Sequence, residues 1–84
     1  MNKPIVIKEL GEITKNRERK LAVIVMEYKG FRYLDVRLMN LEGEKWKYGH
    51  GITLNRRTFP SLLTLLNAHQ EECELMLNAK QAEP

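Results

Sequence analysis

The hydrophobic pattern of this chain changes its period once, near Asn55. Before Asn55, apolar residues alternate with polar ones or form short apolar runs, as they do in β-strands. After Asn55 they recur at intervals of three and four residues, as on one face of an amphipathic helix. A single switch of this kind predicts an α+β domain in which a group of strands precedes one C-terminal helix.

Three turn signals divide the first part of the chain into four predicted strands. The turns fall at residues 16–20, at Lys29-Gly30 and at residues 40–43. Because consecutive strands joined by short turns pair with each other, we expect a curved four-stranded antiparallel meander. Gly49 and Gly51 interrupt the last strand, which predicts a bulge or a close approach of the backbone. The predicted strands cover residues 5–14, 20–28, 31–39 and 45–54.

Alternation in the third predicted strand assigns its two faces. Three aliphatic residues point to the core, and three polar residues between them face solvent. The aliphatic residues are Leu34, Val36 and Leu38, and the polar ones are Tyr33, Asp35 and Arg37.

The C-terminal part of the chain predicts one helix over residues 58–78, followed by a frayed tail at 79–84. Asn55 or Thr58 could be its N-cap, and Pro60 favours the later start because proline is tolerated in a first turn. Leu65 and Met76 lie off the apolar stripe and favour contact with a partner. The stripe itself consists of Phe59, Leu62, Leu63, Leu66, Cys73 and Leu77.

Length and composition predict one small intracellular domain, residues 1–78. A chain of 84 residues buries a modest core, so a homodimer is expected to cover the remaining apolar surface. A single cysteine cannot form an internal disulfide, and no secretory signal is recognised. The longest apolar run, residues 21–26, is far below the roughly 20 residues that span a bilayer. We therefore expect a cytoplasmic protein that does not cross a membrane.

Charge is distributed unevenly along the chain. Residues 1–57 hold thirteen Lys or Arg and seven acidic residues, whereas residues 58–84 hold one lysine and four acidic residues. The first part is therefore suited to a polyanion. The alternative is that these charges only solvate strand faces and loops.

Cations, aromatic residues and glycines are interleaved between Gly43 and Asn55. Aromatic rings stack on any base, and Lys or Arg neutralises phosphates, so this mixture is typical of single-strand binding. Alternatively, Trp46 and Tyr48 are ordinary strand aromatics that pack across the sheet. The candidate nucleic-acid-binding residues are Tyr28, Lys29, Arg37, Tyr33, Trp46, Lys47, Tyr48, His50, Lys45 and Lys20.

Four segments stand out by their order and spacing: Tyr28-Lys29-Gly30, Leu34-Asp35-Val36-Arg37, Glu42-Gly43-Glu44 and Gly51-Ile52-Thr53-Leu54-Asn55. Together they resemble the transcriptional coactivator family called positive cofactor four, in its compact bacterial and phage branch. The resemblance covers roughly residues 20–66. It implies a four-stranded curved antiparallel sheet and a C-terminal helix, paired into a dimer that binds single-stranded nucleic acid across its strands without marked sequence preference. We therefore expect binding of single-stranded DNA, with RNA as a second candidate, in replication, recombination or transcription.

The resemblance also assigns roles to individual residues. Tyr28 matches an aromatic that stacks a base, Lys29 a phosphate-binding lysine and Arg37 an arginine of the binding face. Trp46 and His50 occupy positions where the family usually has lysines. Lys45 and Lys47 would then supply the charge by reaching around the strand.

A second stacking aromatic of the family has no counterpart after strand three, and Trp46, Tyr33 or Tyr48 is a candidate to replace it. Alanine at Tyr28 or Arg37 is expected to weaken binding and to leave the fold intact.

Catalysis is not expected from this sequence, and no cofactor is implied. His69 and Cys73 are four residues apart on the predicted helix, but a zinc site needs three or four ligands. His50 has no evident acid partner or nucleophile. The alternative function is a protein-interaction adaptor whose basic sheet docks an acidic partner. A dimeric duplex-DNA repressor ranks last, because the only predicted helix is acidic.

Overall fold

The structure is a computed structural model that describes residues 3–79. Four antiparallel strands form one open sheet in the order of the sequence, and two short helices follow. The predicted meander is confirmed. The elements are β1 (Ile5–Asn16), β2 (Arg19–Tyr28), β3 (Phe31–Glu42), β4 (Lys45–Leu54), α1 (Thr58–Ala68) and α2 (Gln70–Leu77). Of the predicted tail, residues 80–84 lie outside the described residues.

Each pair of strands is joined by a two-residue turn, so the strands are longer than predicted at their polar ends. Lys29 (φ 53°) and Gly30 (φ 80°) both have the positive φ that a type I′ turn requires. Asn16 accepts a hydrogen bond through Oδ1 from the backbone N–H of Glu18 (2.9 Å), which closes the first turn. Polar residues that were expected in loops therefore pair within the sheet.

The single helix predicted over residues 58–78 is wrong, because the helix is broken at His69. His69 has non-helical dihedrals (φ −115°, ψ 15°) and is the C-cap of α1 and the N-cap of α2. Its ring Nδ1 contacts the carboxylate of Glu72. No glycine or proline lies at this break, and the 3.6-residue period of the apolar residues continues across it. The sequence therefore carries no signal for the break.

Arg57 is the N-cap of α1, so neither predicted N-cap, Asn55 or Thr58, occupies that position. Asn55 closes the entry into the helix. Its Oδ1 accepts hydrogen bonds from the backbone N–H groups of Arg57 (2.8 Å) and Thr58 (2.9 Å). The helix begins at Thr58, so Pro60 falls in the first turn, where a missing N–H costs no helical hydrogen bond.

The strand register separates the sheet into two faces. Directly paired residues point to the same side. We call one side the aliphatic face; it carries Leu21, Val23, Val25, Leu34, Val36, Leu38, Ile52 and Leu54. We call the other side the aromatic face; it carries all five aromatic residues of the strands, Tyr28, Phe31, Tyr33, Trp46 and Tyr48.

A β-bulge in β4 decides which face Trp46 and Tyr48 occupy. Gly51 pairs with Arg37, but the next pair is Tyr48 with Met39, so Gly49 and His50 together oppose a single residue of β3. In an uninterrupted strand, Trp46 and Tyr48 would share a face with Ile52. The extra residue moves both rings to the aromatic face, and the bulge predicted from the glycines is confirmed.

The helices do not cover the sheet. Within residues 3–79, Ala22 is the only apolar residue that is buried. Neither helix has a buried residue, and Leu66 of the predicted apolar stripe is 54 % exposed. Phe59 does line a groove with Leu34 and Leu54, which places the start of α1 on the aliphatic face. Among the described residues, none that lines a concavity of the aromatic face belongs to a helix.

Alanine at Gly51 should destabilise the protein strongly. An added Cβ would lie 2.7 Å from the carbonyl oxygen of Val36 and 2.9 Å from Cα of Arg37, and backbone atoms cannot move aside cheaply. We expect a loss of about 2–3 kcal/mol in the free energy of unfolding, measured by chemical denaturation.

The matched control is Gly11→Ala in β1, where an added Cβ would meet no atom within 4 Å. Equal stability of the two variants would contradict the close approach at Gly51.

Candidate nucleic-acid interface

Asp35 and Arg37 form an ion pair at the centre of the aromatic face. Arg37 donates through Nε to Asp35 Oδ2 (3.1 Å) and through Nη2 to Asp35 Oδ1 (2.9 Å). Asp35 is 2 % exposed, so the expectation that it faces solvent is wrong. Its burial is tolerated because both carboxylate oxygens are paired with a fixed cation.

The bulge supplies a third hydrogen-bond acceptor for Arg37. Its Nη1 donates to the carbonyl oxygen of Gly49 (3.2 Å), a carbonyl that the irregular strand turns toward β3. Hydrogen bonding to Asp35 raises the pKa of Arg37 above its ordinary value, so the guanidinium is charged at any accessible pH. Arg37 therefore lies on the face the sequence predicted, with most of its charge compensated by Asp35.

Lys20 and Trp46 form a second cluster near the β3–β4 turn. Lys20 Nζ lies 2.9 Å from Glu12 Oε2 and 4.3 Å from the centroid of the Trp46 ring. This cation–π contact holds the indole in place. The Lys20 side chain is only 17 % exposed. Trp46 is partly exposed, and Tyr48 on the same strand is 65 % exposed.

Tyr28 and Tyr33 lie at the opposite end of the aromatic face, next to the β2–β3 turn. With Met26, Thr53 and Pro4 they line a shallow, largely apolar concavity of about 340 Å³, which we call the tyrosine cup. Lys29 Nζ lies 5.3 Å from the centroid of the Tyr28 ring. Aromatic rings next to a cation are a combination found in single-strand-binding sites.

The remaining predicted cations do not join these groups on the aromatic face. Lys45 and Lys47 pair with Glu42 and Asn40, positions that belong to the aliphatic side of the register. Lys47 Nζ also lies 4.0 Å from Glu42 Oε1. His50 lies in the bulge.

The charge of the aromatic face is not uniform. A concavity beside β1 is lined by Glu9, Glu12 and Tyr48, and these carboxylates repel phosphate. None of the described residues that line the tyrosine cup, at the other end, is acidic. The β2–β3 end is therefore the less negative end of the aromatic face.

Three residues at that end were missed by the sequence reasoning. Phe31 pairs with Tyr28 across the hairpin and is 67 % exposed. Arg56 and Arg57 line a cleft together with Phe31 and Tyr33. Arg56 and Arg57 follow directly after the strand that ends at Leu54, and this position is the signal for them in the sequence. The predicted candidates all lie on strands or in the β2–β3 turn.

Comparisons of the chain with known protein families, curated proteins and solved structures gave no match. Within residues 3–79 no three His, Cys, Asp or Glu side chains are grouped so that they could hold a metal ion. None of the helices in this range is long and apolar enough to cross a membrane.

Arg37→Ala should destabilise the protein, in contrast to the sequence-based expectation that the fold stays intact. The substitution leaves the buried Asp35 carboxylate without its cation. We expect the free energy of unfolding to fall by about 3 kcal/mol, at the low end for a buried pair, because Arg37 keeps some contact with water. Arg32→Ala, which breaks an exposed pair with Glu27 (3.3 Å), should cost less than about 1 kcal/mol. Chemical denaturation measures both, and similar losses in the two variants would contradict a structural role for the central ion pair.

Proposed function

We propose that this protein binds single-stranded DNA, with RNA as a second ligand, on the aromatic face of its sheet. The observation that carries the proposal is the placement of all five strand aromatics on one face that the helices leave open. An ordinary sheet of this size would bury its large rings and expose its small polar residues. Here the aliphatic residues lie on the opposite face, the rings of Phe31 and Tyr48 are 67 % and 65 % exposed, and those of Tyr28 and Tyr33 are half-buried.

Stacking supplies sequence-independent affinity in this proposal. Each ring gains about 1–3 kcal/mol from a stacked base, and every base has a π-face. The tyrosine cup and Phe31 offer such surfaces at one end of the sheet, and Trp46 and Tyr48 offer them at the other. Paired bases in a duplex are already stacked on each other, so the proposed ligand is an unpaired strand.

The proposed assembly is a homodimer formed through the aliphatic face and the helices. The chain exposes 7634 Å², whereas a folded monomer of its mass exposes about 5,200 Å². Its radius of gyration is 15.4 Å, against about 12 Å for a compact domain of this length. The excess area of about 2,400 Å² is what an obligate interface removes from one partner.

The apolar residues left exposed support this choice of interface. Ile52 on the aliphatic face and Leu63, Leu65 and Leu66 on α1 are all at least 44 % exposed. A second copy presents the same apolar groups and therefore suits this surface. The dimer leaves both aromatic faces outside, which is the arrangement that strand binding needs.

We further propose membership of the positive cofactor four family and a role as a binding module, not an enzyme, in replication, recombination or transcription. The open meander followed by helical segments agrees with the fold that the resemblance implies. The two-residue turn at Lys29-Gly30 and the Asp35–Arg37 pair fall within the segments that carry the resemblance.

Ile52→Glu should abolish the proposed dimer. The substitution places a charge on the aliphatic face, whereas Tyr48→Glu places the same charge on the same strand but on the other face. Light scattering should give twice the 9.9 kDa chain mass for the wild type and Tyr48→Glu, and monomer or aggregate for Ile52→Glu. A dimer that survives Ile52→Glu and is lost in Tyr48→Glu would reverse the assignment of the faces.

Fluorescence anisotropy with an oligothymidine strand tests the binding itself. We expect affinity that falls log-linearly with salt, weaker binding to duplex, and about tenfold weaker binding for Tyr28→Ala. Leu75→Ala, which shortens an exposed side chain of α2, should bind as the wild type does. Absence of binding at low salt would reject the proposal and favour the adaptor function.

A further inference from the structure

A cleft of about 440 Å³ lies beside the tyrosine cup, where β4 ends. Leu54, the last residue of β4, pairs with Leu34, so residues 31–33 of β3 have no β4 partner. The segment that leads into α1 passes this open part of β3 and closes the cleft. We call it the arginine cleft; its lining residues are Gly30, Phe31, Arg32, Tyr33, Asn55, Arg56 and Arg57.

Three of the residues that line this cleft are arginines. Arg32 donates through Nε to Glu27 Oε1 at 3.3 Å. Among the described residues, the side chains of Arg56 and Arg57 have no ion pair and no hydrogen bond. Glu27 is the only carboxylate paired with a lining arginine there, so the cleft has an excess of positive charge.

Folding alone does not account for this charge. Arg56 and Arg57 immediately precede α1, and its first turn has no acidic residue. The N-terminus of a helix carries a partial positive charge, so cations there are slightly unfavourable. An anion in the cleft would relieve the repulsion among the arginines and would satisfy their planar donors.

The walls of the cleft indicate what kind of anion fits. Phe31 and Tyr33 contribute aromatic surface next to the arginines, and Phe31 is 67 % exposed. Tyr33 also lines the tyrosine cup, so the two concavities are contiguous. A nucleotide carries a phosphate and a ring in adjacent positions and matches this pairing of charge with aromatic surface, whereas an acidic peptide uses only the charge.

We propose that the arginine cleft holds backbone phosphates of the single strand whose bases stack on Tyr28 and Tyr33, so that the strand leaves the sheet at its β2–β3 end. The inference rests on the proposed function and adds the position and the residues of phosphate binding. It also supplies the charge that Arg37 and Lys20 lack, since both are engaged by carboxylates of the face.

The test compares two double variants of the full chain with equal loss of charge. Arg56→Ala/Arg57→Ala removes two cations from the cleft. Arg17→Ala/Arg19→Ala removes two exposed arginines at the β1–β2 turn, at the opposite end of β2. Oligothymidine binding is measured by anisotropy from 50 to 300 mM salt, and circular dichroism checks that each variant is folded.

The cleft variant should bind about tenfold more weakly at low salt, as expected for losing contacts to a charged group. The slope of log affinity against log salt should shrink by about 1.4, which corresponds to two phosphates on a single strand. The control variant should keep the wild-type slope.

Three outcomes would overturn the inference. If the wild type binds and both variants weaken equally, only the general field of the protein matters, and the cleft is not a phosphate site. If the wild type binds and the cleft variant matches it, the strand avoids the cleft, while the proposed function stands. If the wild type does not bind the strand at all, the proposed function and the inference fail together.

Discussion

The β-bulge at Gly49 and His50 is the feature on which the rest of this structure depends. It reverses the side-chain alternation of β4, so that Trp46 and Tyr48 share a face with Tyr28 and Tyr33 while Ile52 and Leu54 stay on the aliphatic face. It also turns the carbonyl of Gly49 toward Arg37, which in turn pairs with the buried Asp35. Without the bulge Trp46 and Tyr48 would lie on the aliphatic face beside Ile52 and Leu54.

Two unequal faces follow from this arrangement, and each has a physical consequence. Within residues 3–79 no complete second layer covers the aliphatic face, and sheets of this kind are stable only when such a layer covers them. The aromatic face is stabilised internally by ion pairs, which compensate Arg37 and Lys20 and leave little free positive charge there. On the proposed function, rings on the face provide stacking, and charge for the phosphates comes from the loop residues beside it.

The sequence predicted the order and type of the elements because turn chemistry is local. The bounds of β4 agree with the prediction, since Gly43 and Asn55 mark its ends, whereas the polar ends of β1 and β3 were taken for loops. The helix is interrupted at His69, and histidine is not a residue type that usually breaks a helix. The site was harder: glycines predicted a bulge, but its effect on Trp46 and Tyr48 depends on which residues of β3 they oppose. Burial of Asp35 likewise results from pairing across strands, which alternation alone does not report.

Photo-cross-linking of an oligothymidine strand, followed by mass spectrometry of the cross-linked peptides, tests whether unpaired bases contact the aromatic face at its β2–β3 end. If they do, cross-links are expected at Tyr28, Phe31 and Tyr33. Cross-links confined to the aliphatic face or to the two helices would contradict contact at that end.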